Sequence, residues 1–317
     1  MTNLFGIQIE PQFGFDYKTV ETIALEAEKA GYDSIWASDH FFLHEKAEEL
    51  NCMEAWTLLA ALASKTTKLR LGALVTCNSY RYPSVLAKIA STVDMISNGR
   101  LEFGIGAGWK EMEYIAYGIP FPSVKERMDR LEEALQIIRK LWTEPKASFD
   151  GKYYQIKDAF SAPKPVQKLP PIFIGGTGEK RILRMVAEYG DYCNFGWFTP
   201  SDKIPSLLDV LKNHCDDVSR DYNSVGKSYF AYVIMAEKED QLNELLATRA
   251  RERNISLEEF KQRIGGTGAF VGTPDVVQQA FQELIDLGFD YFQVMFPYPD
   301  DLTASQEFAR LVMKTLK

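Results

Sequence analysis

The sequence predicts a (β/α)8 barrel, a TIM barrel, in a single domain over residues 1–317. Three observations predict it. Short apolar runs alternate eight times with helical stretches, the signature of parallel crossover units. No Gly-x-Gly-x-x-Gly follows the first run, which makes the alternative, a doubly wound open sheet, the poorer match. The 317 residues, 46% of them apolar, suit one large barrel with a sizeable core.

In chain order, Leu4 to Ile9 is the first strand, ended by Glu10-Pro11. Asp16 caps a helix to Ala30, which Gly31 closes. Ser34 to Ala37 is strand two, followed by Ser38-Asp39-His40 and a loop from Phe41 to Met53. A helix from Glu54 to Thr66 leads to strand three, Leu69 to Val75. Pro83 opens the next helix, in which Val85, Ile89, Val93 and Ile96 keep helical spacing, and Asn98-Gly99 ends it. Strand four covers 101–105, and Glu111 to Tyr117 and Val124 to Trp142 are helical. Phe149 to Pro171, with a tight hairpin and four prolines, reads as an insertion. Strand five is Ile172 to Ile174, with a helix from Glu179 to Tyr189, and strand six is Tyr192 to Phe198. A helix from Ile204 to Val218 precedes strand seven, Tyr229 to Ala236. Residues 239–264 are helical with a break near Asn254, residues 265–268 are a loop, and Thr273-Pro274 starts another helix. Strand eight is Tyr291 to Phe296, and Leu302 to Leu316 is the last helix.

Composition excludes several classes of function. A net charge of −8 argues against nucleic-acid binding, which needs a basic face for phosphates. Cysteines 52, 77, 193 and 215 form no Cys-x-x-Cys pair, and with three histidines no metal site is expected. No apolar run approaches membrane-spanning length and no signal-type segment opens the chain, so a cytoplasmic setting is expected.

Parallel strands share one C-terminal edge, and ligands gather there. Asp39-His40 follows strand two, and a histidine beside a carboxylate suits proton transfer near neutral pH. The plainer alternative is a turn cap and a solvated histidine. Glu111 and Glu113 follow strand four, and we take Glu111 as a further catalytic candidate. Leu74-Val75-Thr76 ends strand three, and Asn78 offers both a donor and an acceptor. Gly106-Ala107-Gly108 admits close backbone approach by a flat ligand. Gly175-Gly176-Thr177-Gly178, ahead of a helix at Glu179, suits a phosphate, with Lys180, Arg181 and Arg184 adding positive charge. Its alternative is a barrel turn with surface charges. Trp109 and Trp197 are candidate walls of a substrate pocket, and His44 lies in the loop four residues past His40.

Residues 74–83 (Leu-Val-Thr-Cys-Asn-Ser-Tyr-Arg-Tyr-Pro) and 99–109 (Gly-Arg-Leu-Glu-Phe-Gly-Ile-Gly-Ala-Gly-Trp) resemble the bacterial luciferase-like superfamily. Ser38-Asp39-His40-Phe41, residues 117–122, 163–167 and 174–179 extend the resemblance over residues 4–200. Within the superfamily the chain is most similar to the branch that uses the deazaflavin coenzyme F420. The resemblance implies a luciferase-like barrel with insertions at the C-terminal face, often paired as a homodimer. It implies hydride transfer between coenzyme F420 and an organic substrate; the alternative is an FMN-dependent two-component monooxygenase using reduced flavin and dioxygen. It places Asp39 and His40 beside the reactive ring carbon, a cis peptide at Leu74–Val75 against the ring, and the cofactor phosphate at residues 175–178. Sugar-phosphate dehydrogenases of the family carry a catalytic glutamate where this chain has Trp109 and a tryptophan where it has His44, which argues against glucose-6-phosphate as substrate.

Overall fold

A computed structural model describes residues 2–297 and 301–317. Among them eight parallel strands close into a barrel. They are β1 (Leu4–Ile9), β2 (Ser34–Ala37), β3 (Arg70–Ala73), β4 (Leu101–Gly106), β5 (Ile172–Gly175), β6 (Tyr192–Gly196), β7 (Gly226–Met235) and β8 (Tyr291–Met295). Each pairs with the next, and β8 returns to β1. Register decides what meets at the mouth. Ile9 lies beside Ala37 and Ala37 beside Ala73, so Glu10, Ser38 and Leu74 emerge at one rim.

The lower barrel is plugged by aromatic rings. Phe173 stacks on Tyr192 at 4.3 Å, and Trp36 meets Phe173 and Tyr291 edge-on. Such pairs contribute about 0.5–1.5 kcal/mol each beyond burial. Trp36 fits because Gly6 and Gly72 flank it; a Cβ on Gly72 would lie 2.3 Å from its ring. The buried Glu102 takes hydrogen bonds from the Tyr291 hydroxyl at 2.6 Å and Arg70 Nε at 2.7 Å. The site therefore has a packed floor and lies in the upper half.

Local chemistry sets the helix ends. Asp16 accepts the Thr19 amide at 2.7 Å and Gly31 closes that helix at φ 88°. Pro83 opens Pro83–Ile96. The hairpin is a pair of antiparallel strands, Ala147–Asp150 and Gln155–Ala159. Its turn is tied to the helix Val124–Thr143 by Glu133, whose carboxylate takes the amides of Lys152, Tyr153 and Tyr154.

Several boundaries differ from the sequence reading. β3 stops at Ala73; the Leu74–Val75 peptide is cis, and Thr76–Cys77 then pairs separately with Ile105 and Gly106. The helix expected from Glu179 starts at Ile182, after a turn. β6 ends at Gly196, leaving Trp197 and Phe198 in the following loop. A short strand, Phe270–Gly272, adds to β7, too brief to show a period. The last helix contains a π-helical turn at Ala309–Met313. Residues 298–300 lie outside the described residues. No described helix is long and apolar enough to cross a membrane.

Candidate active site

A cavity of about 520 Å³ opens at the C-terminal mouth of the barrel. Asp39, His40, Leu74, Val75, Thr76, Gly108, Trp109, Gly175, Gly176 and Trp197 all border it. The strand-end argument thus brings residues from five strands together. Asn78 does not reach the wall: it is fully buried, with Nδ2 3.5 Å from the Tyr154 hydroxyl and Oδ1 unpaired. Gly106, Ala107, Thr177 and Gly178 also lie off the wall.

Asp39 does not orient His40. Its carboxylate forms a two-pronged pair with Arg81, at 2.7 and 2.9 Å, and accepts the Cys77 amide at 3.0 Å. Arg81 also pairs with Glu54. The network clamps the segment after β3 against the end of β2.

Glu113 is the partner of His40. Its Oε2 lies 2.9 Å from His40 Nδ1 and accepts the Tyr80 hydroxyl at 2.6 Å. Its Oε1 accepts the Phe41 amide at 2.8 Å, the Phe42 amide at 3.2 Å and Lys110 Nζ at 3.2 Å. Burial pushes this carboxyl up, but the hydrogen bond and charge of His40, then the Tyr80 and Phe41 donors, hold it at about 2. Glu111, the residue taken as catalytic from sequence, is exposed on the same short helix, Glu111–Ala116. Residues two apart on a helix point to different sides, so only one of the pair can reach His40. With Nδ1 engaged, Nε2 is the nitrogen left for a ligand. Trp109 meets the imidazole edge-on at 5.9 Å and is 72% exposed, a rim residue.

Because folding lowers the Glu113 pKa from the ordinary 4.5 to about 2, its contribution to stability is present above pH 4.5 and lost as pH falls through about 2. Glu113→Gln is expected to lower stability at neutral pH and to flatten the fall in this acid range. Urea midpoints measured across pH check this; parallel pH curves for the two proteins would exclude a charge role.

The glycines serve different ends. Val75 fills the space above Gly104, Gly106 and Gly175, where an added Cβ would come within 3.3, 2.8 and 3.0 Å of its methyls. Gly106 thus makes room for Val75, not directly for a ligand. Gly176 has φ 122°, open to glycine alone in practice. Beyond it, the Thr177 and Gly178 amides meet no acceptor among the described residues. Arg181 pairs with Asp129 and Glu132, and Arg184 with Glu188, so their charge is directed to helix surfaces.

His44 is not in this cavity. It lines a separate outer hollow with Phe42, Met112 and Tyr117. The sequence reading also missed Glu10, which borders the cavity and accepts Gln8 Nε2 at 2.8 Å and Ser38 Oγ at 2.9 Å. It directly follows β1, so the rule that flagged Asp39 would have flagged it. Asn194, inside β6, and Lys110, at the start of the helix after β4, are wall residues that the strand-end rule does not flag. Among the described residues, no group of three His, Cys, Asp or Glu could hold a metal.

Comparison with known proteins places this geometry. A family model described as luciferase-like monooxygenase matches residues 4–291. The chain is 35% identical over 181 residues to an F420-dependent glucose-6-phosphate dehydrogenase of Amycolatopsis mediterranei, covering 57% of this chain and 52% of that protein. In three such alignments the chain spans about half the length of the curated relative it matches. A longer alignment, 28% identical over 313 residues, joins it to the F420-dependent hydroxymycolic acid dehydrogenase of Mycobacterium tuberculosis, with 93% of this chain and 83% of that one covered. Among solved structures, an F420-dependent secondary alcohol dehydrogenase with an F420-acetone adduct superposes with a TM-score of 0.81 at 20% identity, 98% of both chains covered. The F420-dependent tetrahydromethanopterin reductase of Methanopyrus kandleri gives 0.80 at 19%, with 100% of both chains covered. At those identities the two structures speak to the fold. Matched along most of its length by the family model, the chain belongs to the luciferase-like monooxygenase family.

Proposed function

We propose that the chain is an oxidoreductase that transfers hydride between coenzyme F420 and a small organic substrate. One observation carries the reading: His40, anchored through Nδ1 by the buried Glu113, stands at the wall of a cavity that Gly108, Gly175 and Gly176 also line. The cavity suits the coenzyme. Leu74, Val75, Phe230 and Met295 give it apolar surface for a flat ring. The unpaired Thr177 and Gly178 amides beyond Gly176 offer donors to a phosphate. Names carried by the relatives point to the same coenzyme.

When bound, the coenzyme supplies the carbon that gives or takes hydride. The protein's part is positioning and proton handling. His40 Nε2 holds or releases the proton that must accompany hydride transfer, and the Glu113 carboxylate steadies the imidazolium. The Asp39–Arg81–Glu54 network keeps the cavity wall in place. Glucose-6-phosphate is not carried over from the relatives, because position 109 is tryptophan. A cytoplasmic setting and a homodimer complete the reading on family likeness alone.

The test is a fluorescence titration with coenzyme F420 and with FMN, each oxidised and reduced. Tight binding of F420 supports the reading; selective binding of reduced FMN would move the protein to the monooxygenase class. Gly178→Asp probes the phosphate seat without the positive φ that burdens any substitution at Gly176. It is expected to raise the coenzyme dissociation constant about tenfold, with the melting temperature nearly unchanged. Unaltered affinity would place the phosphate elsewhere.

A further inference from the structure

Phe13, Leu43, Trp197 and Met295 border the central cavity and also line a second chamber of about 380 Å³. The remaining wall of that chamber is Tyr232, Phe296, Pro297 and Arg253. It is apolar and largely aromatic, and Arg253 is its one formal charge among the described residues. Arg253 is an exposed residue at the chamber's edge and caps the C-terminal end of the helix Glu239–Glu252. Its Nη1 donates to the Arg249 carbonyl at 3.1 Å, and its guanidinium lies 5.3 Å from the centre of the Phe260 ring. No carboxylate pairs with it among the described residues. A guanidinium held over a ring by one bond keeps further donors in a planar fork, which matches a carboxylate.

We propose that the substrate is an amphiphilic organic acid. Its reacting carbon lies near His40, its apolar or aromatic body passes Trp197 into the second chamber, and its carboxylate meets Arg253. A sugar fits this chamber poorly, because its hydroxyls would lose water against rings that cannot replace the hydrogen bonds. The assignment rests on the central cavity being the coenzyme and hydride-transfer site.

Two fluorescent probes with the same aromatic body test it on the full chain without coenzyme. One is 8-anilinonaphthalene-1-sulfonate, which carries an anion; the other is the neutral N-phenyl-1-naphthylamine. Arg253→Glu is expected to weaken the anionic probe about tenfold and the neutral probe less than about twofold. Arg253→Gln should fall between wild type and Arg253→Glu for the anionic probe. Decanoate should displace the probe better than decanol, and added salt should narrow that difference. Equal loss of both probes, no loss of either, or no binding to wild type would overturn the assignment. Coenzyme titration of the same variant separates the two readings. A protein that ignores coenzyme F420 but shows the probe pattern loses the hydride-transfer function and keeps the anion chamber. A protein that binds the coenzyme with probes indifferent to Arg253 keeps the function and loses the chamber.

Discussion

His40→Ala is expected to lower turnover about a hundredfold or more, the range of general acid–base groups, while coenzyme affinity changes less than tenfold. The reason is where the residue does its work. Its Nδ1 is committed to Glu113, and Nε2 is the nitrogen left for the cavity. A group that moves a proton during the reaction acts mainly on the transition state, so its loss appears in rate more than in binding. If His40 is instead only a wall, affinity falls and saturating coenzyme restores the rate. Dissociation constants and single-turnover rates on one preparation separate the cases. Full rate at saturation would remove His40 from the chemistry and leave Glu10, the cavity-lining carboxylate that is not tied to Arg81, as the next group to test.

Arg81→Met is expected to destabilise the fold by about 3–5 kcal/mol, the cost of leaving a buried charge without its partner. The Asp39 side chain is 1% exposed and Arg81 11%. Methionine removes both guanidinium bonds to Asp39 and leaves one amide, from Cys77, at 3.0 Å. The unpaired carboxylate then resists burial, and the segment after β3 loses its tie to β2. Adding Asp39→Asn should recover part of the loss, because the stranded charge is gone. Urea unfolding of the two single variants and the double variant measures this. A loss below about 1 kcal/mol, the level of an exposed ion pair, would show that the network is solvated and does not brace the site.

The architecture was legible because it rests on local and periodic signals. Eight apolar runs separated by helical stretches specify parallel crossovers, and Asp16, Gly31 and Pro83 mark helix ends by chemistry within one turn. The mouth was legible too: residues just past the strands' C-terminal ends gather there, which is why Asp39, His40, Leu74, Gly108 and Gly176 border one cavity. That argument is about backbone direction and is blind to side-chain pairing.

Pairing was decided by the tertiary structure. Asp39 precedes His40 in sequence, yet it turns to Arg81, 42 residues away, while His40 turns to Glu113, 73 residues away. Adjacent residues at a strand end point apart, so sequence neighbours are poor candidates for a hydrogen-bonded pair. The choice between Glu111 and Glu113 likewise needed the helix to be placed, since its rotation sets which carboxylate is buried. The second chamber exists only because the segments after β1, β2, β6 and β8 converge with the helix ending at Glu252. Strand direction and helix capping are local, so the residue pattern alone specifies the barrel and which strand ends form its mouth. The charged partners, and the shape of the space they enclose, are contacts between distant segments that only the closed barrel brings together.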